Sequence, residues 1–533
     1  MADWSHEYRR HGWWREETFL DDLRRHAHER PDTIALVGHR EADGSIDRAT
    51  YSELLADTGR YAAKLRDLGI EPGDVVAVQL PDWYELVPLA MACAQVGARF
   101  CPLMPSYRQY ELAHILALTE AKVCITLAER DGARLADIVT GLDLPSLRHV
   151  LVSGDPRPPG TADFAEHFLK GDGEVAVSRD AELGPDDPYL ILFTSGTTGE
   201  PKGVLHSQNT LYAAARGLAD AMELDSSLIM QVAHLNTHMS GFAMGLMIPL
   251  LLGGTAVFQD RWNVRVSLDL DESEDVSLFY GAAPFLMDII DELRKRPRTL
   301  PELRWMISGS AQVPPHLIGE IQEVLGLTTY TLWGMTENGP VTVTRTDDPP
   351  DWGTQSDGRT VGGMELRIDP MEGRTDGAGP LWVRGPSQCL GYFRREELYA
   401  SELDGDGWFD TGDLARDDGR GGIRIAGRTK DIILSRAFNV PVTELEAVLG
   451  RHPNVREIAV IGIPHPELLE EVCAVVLPND PASPLTLQDL CDHLRENGVN
   501  EWIWPHRLEL VDAMPKTITG KIRKVELRQR YGE

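Results

Sequence analysis

Residues 192–204 read LFTSGTTGEPKGV. An apolar run from Tyr189 opens into Thr194, Ser195, Gly196, Thr197, Thr198 and Gly199, and Lys202 and Gly203 follow. Glycines let the backbone turn sharply and bare its N–H groups, hydroxyls add donors, and a nearby lysine adds charge. The segment is therefore suited to wrapping phosphate oxygens. It is not the Walker pattern, in which Gly-Lys-Ser/Thr leads straight into a helix. A flexible surface turn is the simpler alternative, but the ordered spacing of hydroxyls, glycines and lysine favours the phosphate loop.

Outward from this loop, strand-like runs VVAVQL (75–80), KVCITL (122–127), YLILFT (189–194), GTAVFQ (254–259) and RWMIS (304–308) alternate with helix-length amphipathic segments such as 208–222 and 314–325. That rhythm predicts an α/β fold with covered sheets. Between about 360 and 430 the texture changes to short strands and glycine turns, a β-rich subdomain. The last hundred residues return to mixed helices and strands, which suits a small, mobile α/β lid. The expected division is 1–429 for the large N-terminal domain and 430–533 for the lid, with the boundary at GRTKD (427–431).

The chain's 533 residues exceed one typical domain, and a hydrophobic share of 42% fits a globular protein. Its 52 basic and 83 acidic side chains leave a formal charge of −31, which disfavours nucleic acid and anionic membrane as large-area partners. The six cysteines are scattered without a CxxC pair, as expected in a reducing compartment. The N-terminal stretch lacks a signal-like apolar core, and the longest apolar run, around 244–254, is too short to span a bilayer. A cytoplasmic location is expected.

Five further motifs follow the loop in order: SGSAQVP (308–314), TLWGMTENG (331–339), GWFDTGD (407–413), GRTKD (427–431) and PKTITGKIRK (515–524). Together the six resemble the signatures of the adenylate-forming superfamily, which includes acyl-CoA and aryl-CoA synthetases, peptide-synthetase adenylation domains and luciferases. The resemblance implies that a carboxylate attacks the α-phosphate of ATP, and that an acceptor then displaces AMP. Thr194 to Gly199 and Lys202 would hold the β- and γ-phosphates. Thr336 would reach the α-phosphate, and Glu337 would hold Mg²⁺, a hard cation that prefers oxygen. Trp333, where the family usually has tyrosine, would lie along the adenine beside Gly334. Asp413 would bind the ribose, Arg428 would contact ribose or phosphate, and Gly309, Ser310 and Ala311 would floor the space between adenine and acid. Lys521 resembles the lysine that the lid brings to the α-phosphate and substrate carboxylate.

The acid pocket is read from VAHLNTHMSGF (232–242) and FYGAAPFLM (279–287). His234 and His238, four apart, would share a face on a helix, but no third ligand accompanies them, so a pocket wall led by His238 is favoured over a metal pair. Gly241, Tyr280 and Asn338 complete the expected wall, and the small residues Gly281 to Ala283 would leave room for a ring. The pattern looks most like ligases for aromatic or alicyclic acids.

The acceptor is read from DIILSRAFNVPVTELE (431–446), taken as a strand, a turn and a helix. Lys430 matches the hinge about which the lid rotates, after which Ser435, Arg436, Ala437 and Phe438 would face the site. CoA-dependent members usually carry two glycines where this chain has Arg436 and Ala437. Ile503 stands where relatives often carry a lysine. CoA remains the expected second substrate. The alternatives are transfer to an amine, nitrite activation toward an arylamine, or a nucleotide-binding pseudoenzyme. Intact Lys202, Glu337, Asp413 and Lys521 speak against the last.

Overall fold

The computed structural model describes residues 4–170, 181–194, 201–310, 313–371, 376–429, 433–435, 438–440, 442–465, 468–483, 485–497, 499, 501–517 and 520–532. Two large sheets dominate the N-terminal part. One runs, in spatial order, through Gly391–Tyr392, Lys202–Ser207, Pro188–Thr194, Arg99–Pro102, Val75–Val78, Val123–Leu127, His149–Ser153 and Ala162–Asp163. The other runs from Arg359–Thr360 through Gly339–Val343, Thr329–Met335, Trp305–Ser308, Leu278–Gly281, Ile229–Val232 and Thr255–Gln259 to Ile34–His39 and Ile46–Thr50. The five strands expected from the sequence all form, as do the helices Gln208–Ala221 and Pro315–Leu325.

The central strands are parallel and covered on both faces, which is why they read as unbroken apolar runs: Val75 to Val78 are all buried. Between the sheets, a shared core joins Val76, Phe100 and Leu190 of one to Met230, Tyr280 and Ile307 of the other, through Leu211 and Leu218 of the helix Gln208–Ala221. The outer face of the second sheet is closed by Leu268, Leu286, Ile290, Leu317 and Ile321 from three helices. This is the covered α/β architecture expected.

The β-rich subdomain is a four-stranded antiparallel sheet, Glu365–Ile368, Gly379–Arg384, Phe409–Asp417 and Ile423–Arg428. The lid has its own sheet, centred on the long pair Val455–His465 and Leu469–Pro478. Its side chains alternate as strand geometry requires: Val472, Ala474 and Val476 pack with the helices Val442–Leu449 and Leu487–Glu496, while Cys473 and Val475 pack with Leu527 of the helix Lys524–Tyr531.

One local expectation fails here. The expected strand and helix form, the helix as Val442–Leu449, but Phe438 and Asn439 are not part of a turn between them. Ile433–Ser435 and Phe438–Val440 are antiparallel partners, with Ser435 opposite Phe438 and Ile433 opposite Val440. Phe438 belongs to a strand because Val440 contributes to the lid core beside Ile433. Arg436 and Ala437 lie outside the described residues, as do the hinge candidate Lys430 and the expected boundary beside it.

Candidate active site

The strand Pro188–Thr194 returns antiparallel as Lys202–Ser207, so Thr194 sits opposite Lys202. Ser195 to Gly199, between them, lie outside the described residues, as does Ala311. Lys202 Nζ pairs with Glu402 Oε1 at 3.2 Å and lies 4.7 Å from the centre of the Tyr392 ring. Tyr392, held opposite Val204 by strand pairing, donates its hydroxyl to Glu337 Oε1 at 3.0 Å. Burial raises the pKa of Glu337, and the hydrogen bond from Tyr392 and the charge of Lys202 work against that rise.

Thr336 is fixed from behind. His206 is fully buried, and its Nε2 donates to the Thr336 carbonyl at 2.8 Å, while Nδ1 lies 3.0 Å from Thr210 Oγ1. Burial lowers its pKa to about 4, so the ring is neutral at physiological pH, with its proton on Nε2 because a carbonyl can only accept.

Trp333 is buried, and its indole N–H donates to Asp413 Oδ2 at 2.9 Å. Arg428, opposite Asp413 in strand register, reaches Oδ1 at 2.9 Å. Gly334 follows at a register shift where the partner strand crowds close: an added Cβ would collide with the Gly339 carbonyl. Gly309 is constrained in the same way, with the Leu332 carbonyl 2.7 Å and the Tyr280 hydroxyl 3.2 Å from where its Cβ would stand.

Ser310 takes a left-handed backbone, φ +66°, and its hydroxyl closes a triangle with Ser240 Oγ at 3.1 Å and Tyr280 OH at 3.1 Å. A non-glycine residue in this region is strained by about 1–3 kcal/mol, and such strain tends to collect at functional sites. Ser240 opens a π-helix, Ser240–Leu246, a rare form also frequent at such sites. Gly241 permits it, because a Cβ there would strike the Leu235 carbonyl. Its contribution is thus to backbone packing.

His234 and His238 lie on a loop rather than a helix, yet their rings stack with centres 5.8 Å apart. Asp82 pins this loop: both its carboxylate oxygens accept the Asn236 N–H at 3.0 Å. His234 also meets Tyr280 at 5.0 Å and the edge of Phe285 at 5.6 Å. It is 3% exposed, and neither ring nitrogen has a hydrogen-bond partner among the described residues. Asn338 is completely buried, and neither end of its amide has a partner among the described residues. Gly281 does not provide the expected room for a ring. Its missing side chain is matched by Phe279, Phe285 and Leu286, which a Cβ would meet at 3.0–3.4 Å. Strand alternation turns Gly281 toward the outer core with Phe279, and Tyr280 the other way. Among the described residues no set of three His, Cys, Asp or Glu is placed to hold a metal ion.

Lys521 reaches this cleft from the lid on a small antiparallel turn. Lys516 bridges to Ile522, Thr517 N–H donates to the Lys521 carbonyl at 2.7 Å, and Lys516 Nζ anchors the turn to Glu457 at 2.8 Å. Gly520 sits against Pro284, whose Cγ would lie 3.3 Å from an added Cβ. The Lys521 side chain is open to solvent, although protein surrounds the cleft. That enclosure, then the charge of Arg428, lowers its ammonium pKa to about 8, while Asp413 and Glu337 oppose the shift. Its charge also acts on His238, whose pKa falls to about 4 mainly through burial. The structure therefore brings Arg428, Asp413, Glu337 and the two histidines within electrostatic reach of Lys521. Glu402, Tyr392, His206, Ser240 and Asp82 were not singled out in the sequence. They arrive through sheet pairing and loop packing, and no local motif marks them.

The lid residue Ser435 is buried, and its hydroxyl is without a partner among the described residues. Ile503 packs against the lid core, which accounts for an apolar side chain there.

Two family models match: that of AMP-binding enzymes over residues 23–393, and that of the AMP-binding enzyme C-terminal domain over 444–521. Among similar proteins, a medium-chain fatty-acid–CoA ligase of Escherichia coli K12 is 32% identical over 98% of this chain and 92% of its own. A salicylyl-CoA synthase / salicylate adenylyltransferase of a Streptomyces species is 31% identical over 98% of this chain and 95% of its own. The amide bond synthetase McbA of Marinactinospora thermotolerans superposes with a TM-score of 0.82 and 26% identity, over 96% of this chain and 99% of that one. On the strength of both family matches and of relatives aligned along almost its whole length, the chain belongs to the AMP-binding, adenylate-forming enzymes and is an AMP-forming ligase.

Proposed function

We propose that the enzyme adenylates an aromatic or alicyclic carboxylic acid with ATP, releasing pyrophosphate, and passes the acyl group to CoA with release of AMP. The observation that supports this reading is that Asp413, Arg428 and Glu337, and also His234 and His238, all lie within electrostatic reach of Lys521 from the lid. A cation between a nucleotide side and an aromatic-lined side is suited to a carboxylate meeting an α-phosphate, where charge crowds in the transition state. Thr194, Lys202 and the loop 195–200 would take the β- and γ-phosphates, Thr336 the α-phosphate, and Asp413 and Arg428 the ribose. Gly309, Ser310 and Ala311 would floor the site.

Glu337 fits one Mg²⁺. It is a single buried carboxylate whose raised pKa favours a cation nearby, and Mg²⁺ typically takes one or two carboxylates, with phosphates and water completing its shell. When bound, the ion would neutralise phosphate charge. The cluster of His234, Tyr280 and Phe285, whose rings meet tilted and edge-on, supports a ring-bearing acid. For the second step, lid rotation about Lys430 would bring the 435–438 segment to the site.

Transfer to an amine is the second reading, favoured by Arg436 and Ala437 in place of glycines and by the likeness to an amide bond synthetase. Mass spectrometry of products from a panel of acids, each with CoA or with an amine, separates the two. Thioester formation supports the first reading. CoA left inert while an amide accumulates refutes it.

A further inference from the structure

Lys202, opposite Thr194 in strand register, already carries a counter-ion. Its partner Glu402 is held firmly: it caps the helix Glu396–Ser401, its N–H donates to the Tyr399 carbonyl at 3.0 Å, and its own carbonyl accepts from Asp410 N at 2.8 Å. Glu402 thus hangs from the start of the strand Phe409–Asp417, which also carries Asp413. The ion pair is partly enclosed, with the Lys202 and Glu402 side chains 20% and 32% exposed, so solvent screens it less than a surface pair. The neighbouring Tyr392 hydroxyl is committed to Glu337, so the Lys202 ammonium meets the Glu402 carboxyl group at 3.2 Å beside an aromatic face.

We infer that Glu402 is a positioning residue that competes with the β- and γ-phosphates for Lys202. It weakens ATP and pyrophosphate binding but leaves AMP binding unchanged, because AMP lacks those phosphates. A phosphate oxygen arriving at Lys202 must displace the Glu402 carboxylate or lie beside it, and like charges at that range repel. The consequence is easier departure of pyrophosphate once the adenylate has formed. This inference rests on the placement of Lys202 at the β- and γ-phosphates given above.

Titration calorimetry with Mg-ATP, Mg-pyrophosphate and AMP on the wild type, E402Q and K202A tests it without knowledge of the acid. E402Q is expected to bind ATP and pyrophosphate about three- to tenfold more tightly, the range for an ion pair of moderate strength, with AMP unchanged. E402A should shift in the same direction, and melting temperatures check that both variants fold. Unchanged or weaker ATP binding in both, or an equal shift for AMP, overturns the role of Glu402. K202A is the separate control. If it leaves ATP binding unaltered, the phosphate placement of Lys202 fails, whatever E402Q does. If it weakens ATP binding while E402Q has no effect, only the Glu402 inference falls.

Discussion

The group of residues proposed to hold the nucleotide, the nucleotide side, and the group proposed to hold the acid, the acid side, are built in opposite ways. On the nucleotide side the polar groups are paired within the protein: Trp333 and Arg428 on the two oxygens of Asp413, Tyr392 on Glu337, His206 on the Thr336 carbonyl. On the acid side, His234, Asn236, Thr237 and Asn338 are buried with side-chain polar atoms that have no partner among the described residues. An unmade buried hydrogen bond costs about 1–3 kcal/mol, so a cluster of them points to groups that a ligand or ordered water completes. The prearranged half would serve the nucleotide, a co-substrate shared by these ligases. The incomplete half is where this chain's own acid would be selected.

That contrast can be broken at several points. Lys521 joins the two halves, and K521A should lower acid-dependent pyrophosphate release about a hundredfold or more while leaving the melting temperature unchanged. Retained activity would remove the lid lysine from the chemistry. On the acid side, H234L should raise the KM for the acid about tenfold with ATP affinity untouched, measured by steady-state kinetics at saturating ATP. Equal loss for both substrates would make the two halves one unit. On the nucleotide side, W333F removes the indole donor from a buried carboxylate and should weaken AMP binding about fivefold, read by calorimetry, without changing acid selectivity.

The smallest effect expected is on pH. Lys521 is charged below about pH 8 and neutral above it, because the cleft and Arg428 lower its pKa. If the charged form acts, kcat/KM for ATP should be flat below that value, fall to about half at it and decline further above. K521R should move the decline to higher pH, since a guanidinium stays protonated throughout this range.

Much of this was legible in the sequence, for identifiable reasons. The buried parallel strands announce themselves as apolar runs, and the family is legible because segments 192–204, 331–339 and 515–524 carry residue types whose order has few other uses. What was not legible depends on direction and partnership. Gly281 looked like space for a ring, but a strand sends alternate residues to opposite faces, and its face is the outer core. The spacing of His234 and His238 would put them on one face if they were helical, whereas they lie on a loop that Asp82, more than 150 residues away, pins and that stacks them anyway. Phe438 and Asn439 read as part of a turn because their strand is three residues long and gains its identity by pairing with Ile433–Ser435. Glu402 and Tyr392 meet Lys202 only through the folded sheet.

The most direct test of the central claim traps the first product without assuming an acceptor. The enzyme is incubated with ATP, Mg²⁺, hydroxylamine and a panel of ring-bearing and straight-chain carboxylic acids, and hydroxamate, AMP and pyrophosphate are quantified. An adenylating ligase for ring-bearing acids gives all three in equal amounts, with the ring-bearing acids turning over fastest, and K521A gives none. ADP in place of AMP, or AMP formation indifferent to every acid, would contradict it.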